Sequence, residues 1–249
     1  HISNIQSHED IYLRDHLGLD QVNFNYPSKS LYDRTYDVLL NAQPADESNT
    51  YTFLNDHFRC HPQIARFSSD FVYRPLMGQE LLIRTTDEQF ELSDKGINWI
   101  HVNGEMHPER NENQAEISTA VNLLKKVMSK HPSAEIGIIT PFKHQKEKLQ
   151  QRLFHLGIGH IPADTVHKFQ GDEKDIIILS LVVAGNAPDW KKNFIINNEH
   201  LLNVAITRAK STLFIVADFD YCKKEDPKKR INILNQLATY VEGLGRVQR

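Results

Sequence analysis

The segment 176–179 is apolar at every position, so a strand formed there needs cover on both of its faces. Similar short apolar runs alternate with amphipathic stretches along most of the chain, and this alternation is typical of parallel sheets. We therefore predict a doubly wound α/β fold, with a mainly parallel sheet and helices on both faces. The predicted strands are 51–54, 97–102, 135–140, 164–166, 175–183 and 212–217, and the predicted helices are 30–40, one from residue 62, 113–128, 143–156, 199–210 and 227–240.

The length of 249 residues, of which 40% are hydrophobic, suits one main α/β domain. We assign that domain to residues 51–220, with an N-terminal extension or connector of unclear role at 1–50 and a C-terminal helix at 221–249. Two cysteines are too few for a disulfide framework, and no apolar run reaches the length of a membrane span. We expect a protein of the cytoplasm, or of the nucleus in a eukaryote. Because the chain begins at His1 and lacks an initiator methionine, we also expect a piece of a longer protein.

The net charge of −3 provides no bulk positive field that would attract nucleic acid, so any such contact must be local. Ligands of doubly wound sheets commonly bind beyond the carboxyl ends of the strands. There, Thr140 and Pro141 follow one predicted strand and Gln145 lies close behind, which places a hydroxyl and an amide at the crevice. A simple turn with Thr140 as a helix cap explains the same residues equally well.

A polar run at 164–175 separates two predicted strands. Thr165 and Lys168 can contact phosphates, and Gln170 offers a two-sided amide. Gly171 permits close approach of the backbone to a ligand, and Glu173 can accept a hydrogen bond from a ribose hydroxyl. The alternative is an ordinary charged loop.

Two arginines complete the set of candidates. Arg208 lies on a flank of the predicted helix 199–210, and we expect it near the carboxyl ends of the strands, although an arginine on a helix usually pairs with a nearby acid. Arg59 lies in a bend before Pro62. His57, Cys60 and His61 surround Arg59, but the ligand-pair spacing of a zinc site is missing, so we predict no metal there.

These segments resemble the second RecA-like motor domain of superfamily 1 helicases, in the branch of Upf1-like and Dna2-like enzymes. The runs DTVHKFQGDEKDIIILSLV and LLNVAITRAK carry the resemblance, which covers about residues 50 to 220. It implies that Arg59 and Arg208 reach the γ-phosphate of ATP as catalytic arginines. It also implies that Gln170, Gly171 and Glu173 contact the nucleotide and couple it to the bound strand, and that Thr140, Pro141 and Thr165 line the single-strand track.

The chain departs from the family pattern at Phe58, where many members have tyrosine, and His167 is typical of the RecD-like branch. A phosphate-binding loop, G-x-x-x-x-G-K-[ST], is missing from the sequence. The acidic pair Asp87 and Glu88 follows Arg59, whereas the family's magnesium-binding pair precedes that arginine, so we do not assign it a catalytic role.

The resemblance therefore implies that ATP and Mg²⁺ are bound mainly by a first motor domain that this chain lacks. The expected partners are single-stranded DNA or RNA and the N-terminal RecA-like domain of the same parent protein, with no membrane. One alternative is a degenerate motor that acts only as a nucleic-acid-binding or scaffold module. An unrelated nucleotide-binding metabolic enzyme is a weaker alternative, because the sequence lacks the glycine fingerprint after its first strand.

Overall fold

A computed structural model describes residues 54–169, 171–187, 194–195, 198–224 and 232–249. The predicted helix at 30–40 and most of the predicted strand at 51–54 lie outside these residues. The strands are β1 (Asp56–His57), β2 (Leu82–Ile83), β3 (Gly96–His101), β4 (Ile136–Thr140), β5 (Ala163–Thr165), β6 (Lys174–Ser180), β7 (Ala209–Ala217) and β8 (Val247–Gln248). The α-helices are α1 (Pro62–Ser68), α2 (Arg74–Met77), α3 (Gln114–Lys130), α4 (Lys143–His155), α5 (Glu199–Ile206), α6 (Phe219–Lys223) and α7 (Ile233–Gly243).

Six strands form one sheet in the order β5-β4-β6-β7-β3-β8, and all neighbours are parallel. The four residues Ile176–Leu179 of β6 are completely buried, as their apolar run predicts. The short strands β1 and β2 form a separate parallel pair. The predicted doubly wound, parallel α/β architecture is therefore confirmed.

The direction of the connections places helices on both faces. The links from β3 to β4 and from β4 to β5 run one way along the sheet, whereas those from β6 to β7 and from β7 to β8 run the other way. Because parallel crossovers are right-handed, α3 and α4 cover one face, and α5 to α7 cover the opposite face. On the first face, Ile138, Ile176 and Phe214 of the sheet pack in one cluster with Leu124 of α3 and Leu149 of α4.

Aromatic residues fix the second face near β3. Trp99 contacts Phe219 of α6 edge-on, with ring centroids 5.4 Å apart. Phe67 of α1 packs against Tyr240 of α7 at 5.6 Å, and the Tyr240 hydroxyl donates a hydrogen bond to the Gln63 carbonyl. Helix α1 is thereby attached to the main sheet domain.

The predicted helix 199–210 is too long by four residues. Asn198 caps α5, which ends at Ile206, and β7 begins at Ala209. The backbone of Arg208 and Lys210 is used by tertiary hydrogen bonds from the amides of Lys174 and His61, which draw this segment into the sheet. Arg208 accordingly lies in the turn between α5 and β7. The first residues of the predicted helix 227–240 lie outside the described residues, and within these α7 spans Ile233–Gly243, with α6 before it and β8 after it.

Candidate functional site

Arg59, Glu173 and Arg208 come together at the amino ends of β6 and β7. Glu173 and Arg208 immediately precede those strands, and the Lys174 amide donates to the Arg208 carbonyl at 3.0 Å. Arg59 Nη1 lies 3.2 Å from Glu173 Oε2, with both side chains partly exposed at 37% and 41%. The prediction that Arg208 lies near the carboxyl ends of the strands is wrong, because this residue directly precedes β7 and does not follow a strand.

The bend that carries Arg59 is attached to the turn that carries Arg208. The His61 amide donates to the Lys210 carbonyl at 2.7 Å, and the buried Cys60 thiol contacts the Thr207 carbonyl at 3.6 Å. The Thr85 hydroxyl in turn donates to the Cys60 carbonyl at 2.7 Å. These contacts explain how two arginines far apart in sequence share one site.

His61 attaches the same bend to the start of α1 and to Asp87. Its Nδ1 accepts a hydrogen bond from the Gln63 amide and caps α1, while its Nε2 lies 2.8 Å from Asp87 Oδ1. Because Nδ1 accepts from the Gln63 amide, Nε2 carries the proton that is donated to Asp87. Burial lowers the pKa of His61, although Asp87 opposes this effect. Lys95 Nζ lies 2.6 Å from the other oxygen of Asp87. Asp87 therefore holds the bend in place.

The electrostatics of the cluster favour an anion. Burial, and then the positive charge of Arg59, lower the pKa of Arg208, so the two guanidinium groups repel each other. Arg59 Nε is buried and has no hydrogen-bond partner within the described residues. Arg208 Nη1 donates a hydrogen bond to the Asp172 carbonyl at 3.3 Å, whereas Arg59 forms an ion pair with the Glu173 carboxylate. Two neighbouring guanidinium groups suit a phosphate, which offers several acceptor oxygens.

The residues that we predict to bind nucleic acid lie at the opposite edge of the sheet, the one formed by the carboxyl ends of the strands. Thr140 and Thr165 are register partners at the carboxyl ends of β4 and β5. Thr165 and Pro141 are half-buried, Lys168 is exposed, and the fully buried Thr140 accepts a hydrogen bond from the Phe142 amide at 3.4 Å. Since β6 has seven residues at roughly 3.3 Å each, about 20 Å separates the two edges.

Gln145 does not point into the crevice. Its side chain is completely buried, its Nε2 donates to Ser180 Oγ at 2.9 Å, and its Oε1 accepts from the Asn113 amide at 2.9 Å. The Gln145 amide was a candidate for binding a nucleic-acid strand, but it forms its hydrogen bonds inside the domain. The first turn of α4 places it against the end of β6.

Residues 166–173 connect the end of β5 to the start of β6, and the structure describes all of them except residue 170. Phe169 lies over Gly137 of β4, where an added β-carbon would be 2.7 Å from the Phe169 ring. Gly171 is exposed and has a φ of 92°, a backbone conformation that favours glycine. Gln170 lies outside the described residues. Phe169 therefore attaches the first part of this segment to the sheet, between Thr165 and the exposed Gly171.

Phe58 is a further candidate that sequence reasoning missed as a site residue. This ring directly precedes Arg59 and is 72% exposed, so it offers an apolar face beside that arginine. An aromatic residue in a polar bend is the only signal for it in the sequence. Within the described part of the chain, no group of three His, Cys, Asp or Glu side chains could hold a metal ion, and no helix is long and apolar enough to cross a membrane.

The parallel sheet, its two layers of helices and the order of its strands define a RecA-like α/β domain. A family model described as an AAA domain matches residues 28–220 of the chain. The chain therefore belongs to this family, which is that of the C-terminal region of Upf1-like superfamily 1 helicases.

Named helicases are among the similar proteins. Helicase sen1 of Schizosaccharomyces pombe is 30% identical over 72% of this chain and 11% of its own length. The mouse 5'-3' DNA helicase ZGRF1 is 28% identical over 83% of this chain and 11% of its own length. The Drosophila melanogaster regulator of nonsense transcripts 1 homolog is 27% identical over 77% and 16%. The chain thus spans less than a fifth of each of these three relatives.

A solved structure with a related description is the C-terminal domain of a possible DNA helicase from Lactobacillus plantarum WCFS1. It is 18% identical, with a TM-score of 0.40, over 64% of this chain and 86% of that chain. This structural likeness is weak, and the family assignment rests on the sequence match.

Proposed function

We propose that this chain is the second motor domain of an ATP-dependent superfamily 1 helicase acting on DNA or RNA. In this proposal the domain supplies two arginine fingers and part of the single-strand track. The observation that carries the proposal is the cluster of Arg59, Arg208 and Glu173 at the amino ends of β6 and β7.

The cluster has the chemistry that phosphoryl transfer requires. Guanidinium groups remain charged at all working pH values and stabilise the negative charge that develops on a transferring phosphoryl group. The present partner of Arg59 is weakly held, because a partly exposed ion pair contributes only about 0–1 kcal/mol. Arg59 can therefore leave Glu173 for a phosphate oxygen, and Glu173 becomes available to a ribose hydroxyl.

ATP and Mg²⁺ would be held mainly by a first motor domain of the full-length protein. The chain has no phosphate-binding loop, and its relatives are several times longer than the chain. In this arrangement Arg59 and Arg208 meet the nucleotide only when the two domains close, so their contact reports closure. In the closed arrangement the exposed ring of Phe58 would stack on the nucleotide base.

The carboxyl edge of the sheet would form part of the single-strand track. Pro141, Thr165 and Lys168 are at least partly accessible there, and the Lys168 ammonium can pair with a backbone phosphate. Segment 166–173 connects this edge to the arginine cluster. Such a connection would let the state of the nucleotide change the grip on the strand.

The decisive test is strand-stimulated ATP hydrolysis by the full-length protein and its variant Arg208→Ala. We expect at least a tenfold loss of rate, since arginine fingers are worth roughly 10³–10⁵ in related chemistry. Arg152→Ala is the matched control, because Arg152 is exposed on α4 at the opposite face and should leave the rate unchanged. Unchanged hydrolysis in Arg208→Ala would refute the arginine-finger role. A wild type that binds strands but hydrolyses no ATP would favour the degenerate binding module.

A further inference from the structure

Glu116, in the first turn of α3, is a fully buried carboxyl that the nucleotide cluster does not use. Its Oε2 accepts hydrogen bonds from the Ser180 hydroxyl at 2.6 Å and from the Val182 amide at 2.8 Å. The Asn113 side-chain amide lies 3.4 Å from its Oε1. The carboxyl thus joins the start of α3 to the end of β6.

The network continues from Ser180 to the first turn of α4. Gln145 Nε2 donates to Ser180 Oγ at 2.9 Å, and the Ser180 hydroxyl in turn donates to Glu116. Gln145 also accepts from the Asn113 amide at the start of α3. Hydrogen bonds that run in one direction through buried groups strengthen each other, and the final acceptor of this chain is Glu116. The Glu116 side chain therefore connects the start of α3, the end of β6 and, through Ser180, the first turn of α4.

Val182 provides an independent sign of constraint. Its φ of 72° is the only positive value at a non-glycine residue within the described chain, and its side chain is completely buried. A β-branched residue in this conformation costs on the order of 1–3 kcal/mol and persists only where its surroundings enforce it. The Val182 amide donates to Glu116, and its carbonyl lies 3.5 Å from Asn113 Nδ2. The side chains of Glu116 and Asn113 therefore contact the backbone amide and the backbone carbonyl of Val182.

Burial raises the pKa of Glu116 to about 8, although the hydrogen bonds from Ser180 and Val182 oppose this effect. Among the described residues, the charged group that acts on Glu116 is Asp218, beyond the end of β7, and its negative charge also disfavours ionisation. At neutral pH the carboxyl therefore retains its proton, and no uncompensated charge is buried in the network.

We propose that Glu116 is a positioning residue for the single-strand surface. It holds the segment after β6 in its strained conformation and, through Ser180 and Gln145, fixes the first turn of α4 beside Thr140 and Pro141. This inference rests on the proposed strand track, because Glu116 acts on a strand only through those residues.

Two measurements on the full-length protein test the proposal. Hydrogen–deuterium exchange of residues 180–187 reports the anchoring, and fluorescence anisotropy with labelled 20-nucleotide dT and U oligomers reports the strand surface. With Glu116→Ala we expect faster exchange and at least a tenfold loss of affinity, and with the milder Ser180→Ala a smaller change in the same direction. Gln114→Ala, exposed on the same turn, is the control and should change neither value.

Glu116→Gln distinguishes positioning from bulk stability. Its amide oxygen can still accept from Ser180 and Val182, so exchange and affinity at pH 7 should stay within threefold of wild type. Between pH 7 and 9 the wild type should lose affinity at least threefold relative to Glu116→Gln, because only the carboxyl ionises in that range. Unchanged exchange in folded Glu116→Ala, or parallel pH profiles of the wild type and Glu116→Gln, would overturn the positioning role alone. Absence of strand binding by the wild type would overturn the strand surface itself.

Discussion

The titration of Glu116 should be visible in the stability of the domain. An unfolded glutamate ionises near pH 4.5, whereas the folded Glu116 ionises near pH 8. Between these values the folded state binds a proton that the unfolded state has released, so the free energy of unfolding falls as the pH rises. The expected slope is about 1.4 kcal/mol per pH unit, which amounts to roughly 5 kcal/mol over the whole interval.

The perturbation that isolates this effect is Glu116→Gln, because its side chain has no proton to release. Urea unfolding at pH 5.5, 6.5, 7.5 and 8.5, followed by fluorescence, gives the free energy for both proteins. Trp99 is completely buried and suits this measurement. Other groups titrate in both proteins, so their contributions cancel in the difference.

The wild type should lose about 3 kcal/mol relative to Glu116→Gln between pH 5.5 and 7.5. Above pH 8 the difference should level off, because Glu116 is then ionised in both states. Two curves that run parallel across this range would show that the folded carboxyl ionises at an ordinary pH, and the argument from burial would be wrong.

Further predictions concern the two edges of the sheet. Arg59→Ala and Arg208→Ala should each reduce ATP turnover by the full-length protein, and the double variant should lose less than the product of the single losses, since both arginines act on one phosphate. Phe58→Ala should raise the KM for ATP more than it lowers kcat, measured under the same conditions. The isolated 249-residue chain should show no ATPase activity in a phosphate-release assay, and any weak strand binding should fade as salt increases. Gly137→Ala should destabilise the domain by about 1–3 kcal/mol in urea unfolding, because the new methyl group collides with Phe169.

The sheet could be predicted from sequence because its apolar runs have only one stable environment. The segment 176–179 requires cover on both faces, and Asn113 and Pro62 are strong signals for the start of a helix. The end of α5 could not be predicted, since local propensity continues the helix until tertiary hydrogen bonds recruit residues 208–210 to β7. The helix predicted from periodicity therefore extends beyond Ile206, where α5 ends.

The candidate site was only partly accessible to the same reasoning. The sequence identifies Arg59 and Arg208 as candidates, but their shared position depends on the contacts of Cys60 and His61 with the α5–β7 turn. Gln145, by contrast, is a predicted site residue that the structure places inside the domain. An exposed amide and a buried, fully bonded amide have the same sequence signature, and only the position of Ser180 shows which one is present.

The separation of the two edges changes the meaning of the polar segment between β5 and β6. A loop that merely contacted a nucleotide could lie anywhere beyond the sheet, yet Phe169 packs against Gly137 of β4. Thr165 and Glu173 flank this segment, at the carboxyl end of β5 and the amino end of β6. A closely packed contact has few intermediate arrangements, and it passes small movements on to its neighbours. The contact of Phe169 with β4 is thus the observation that supports the proposed coupling between nucleotide and strand.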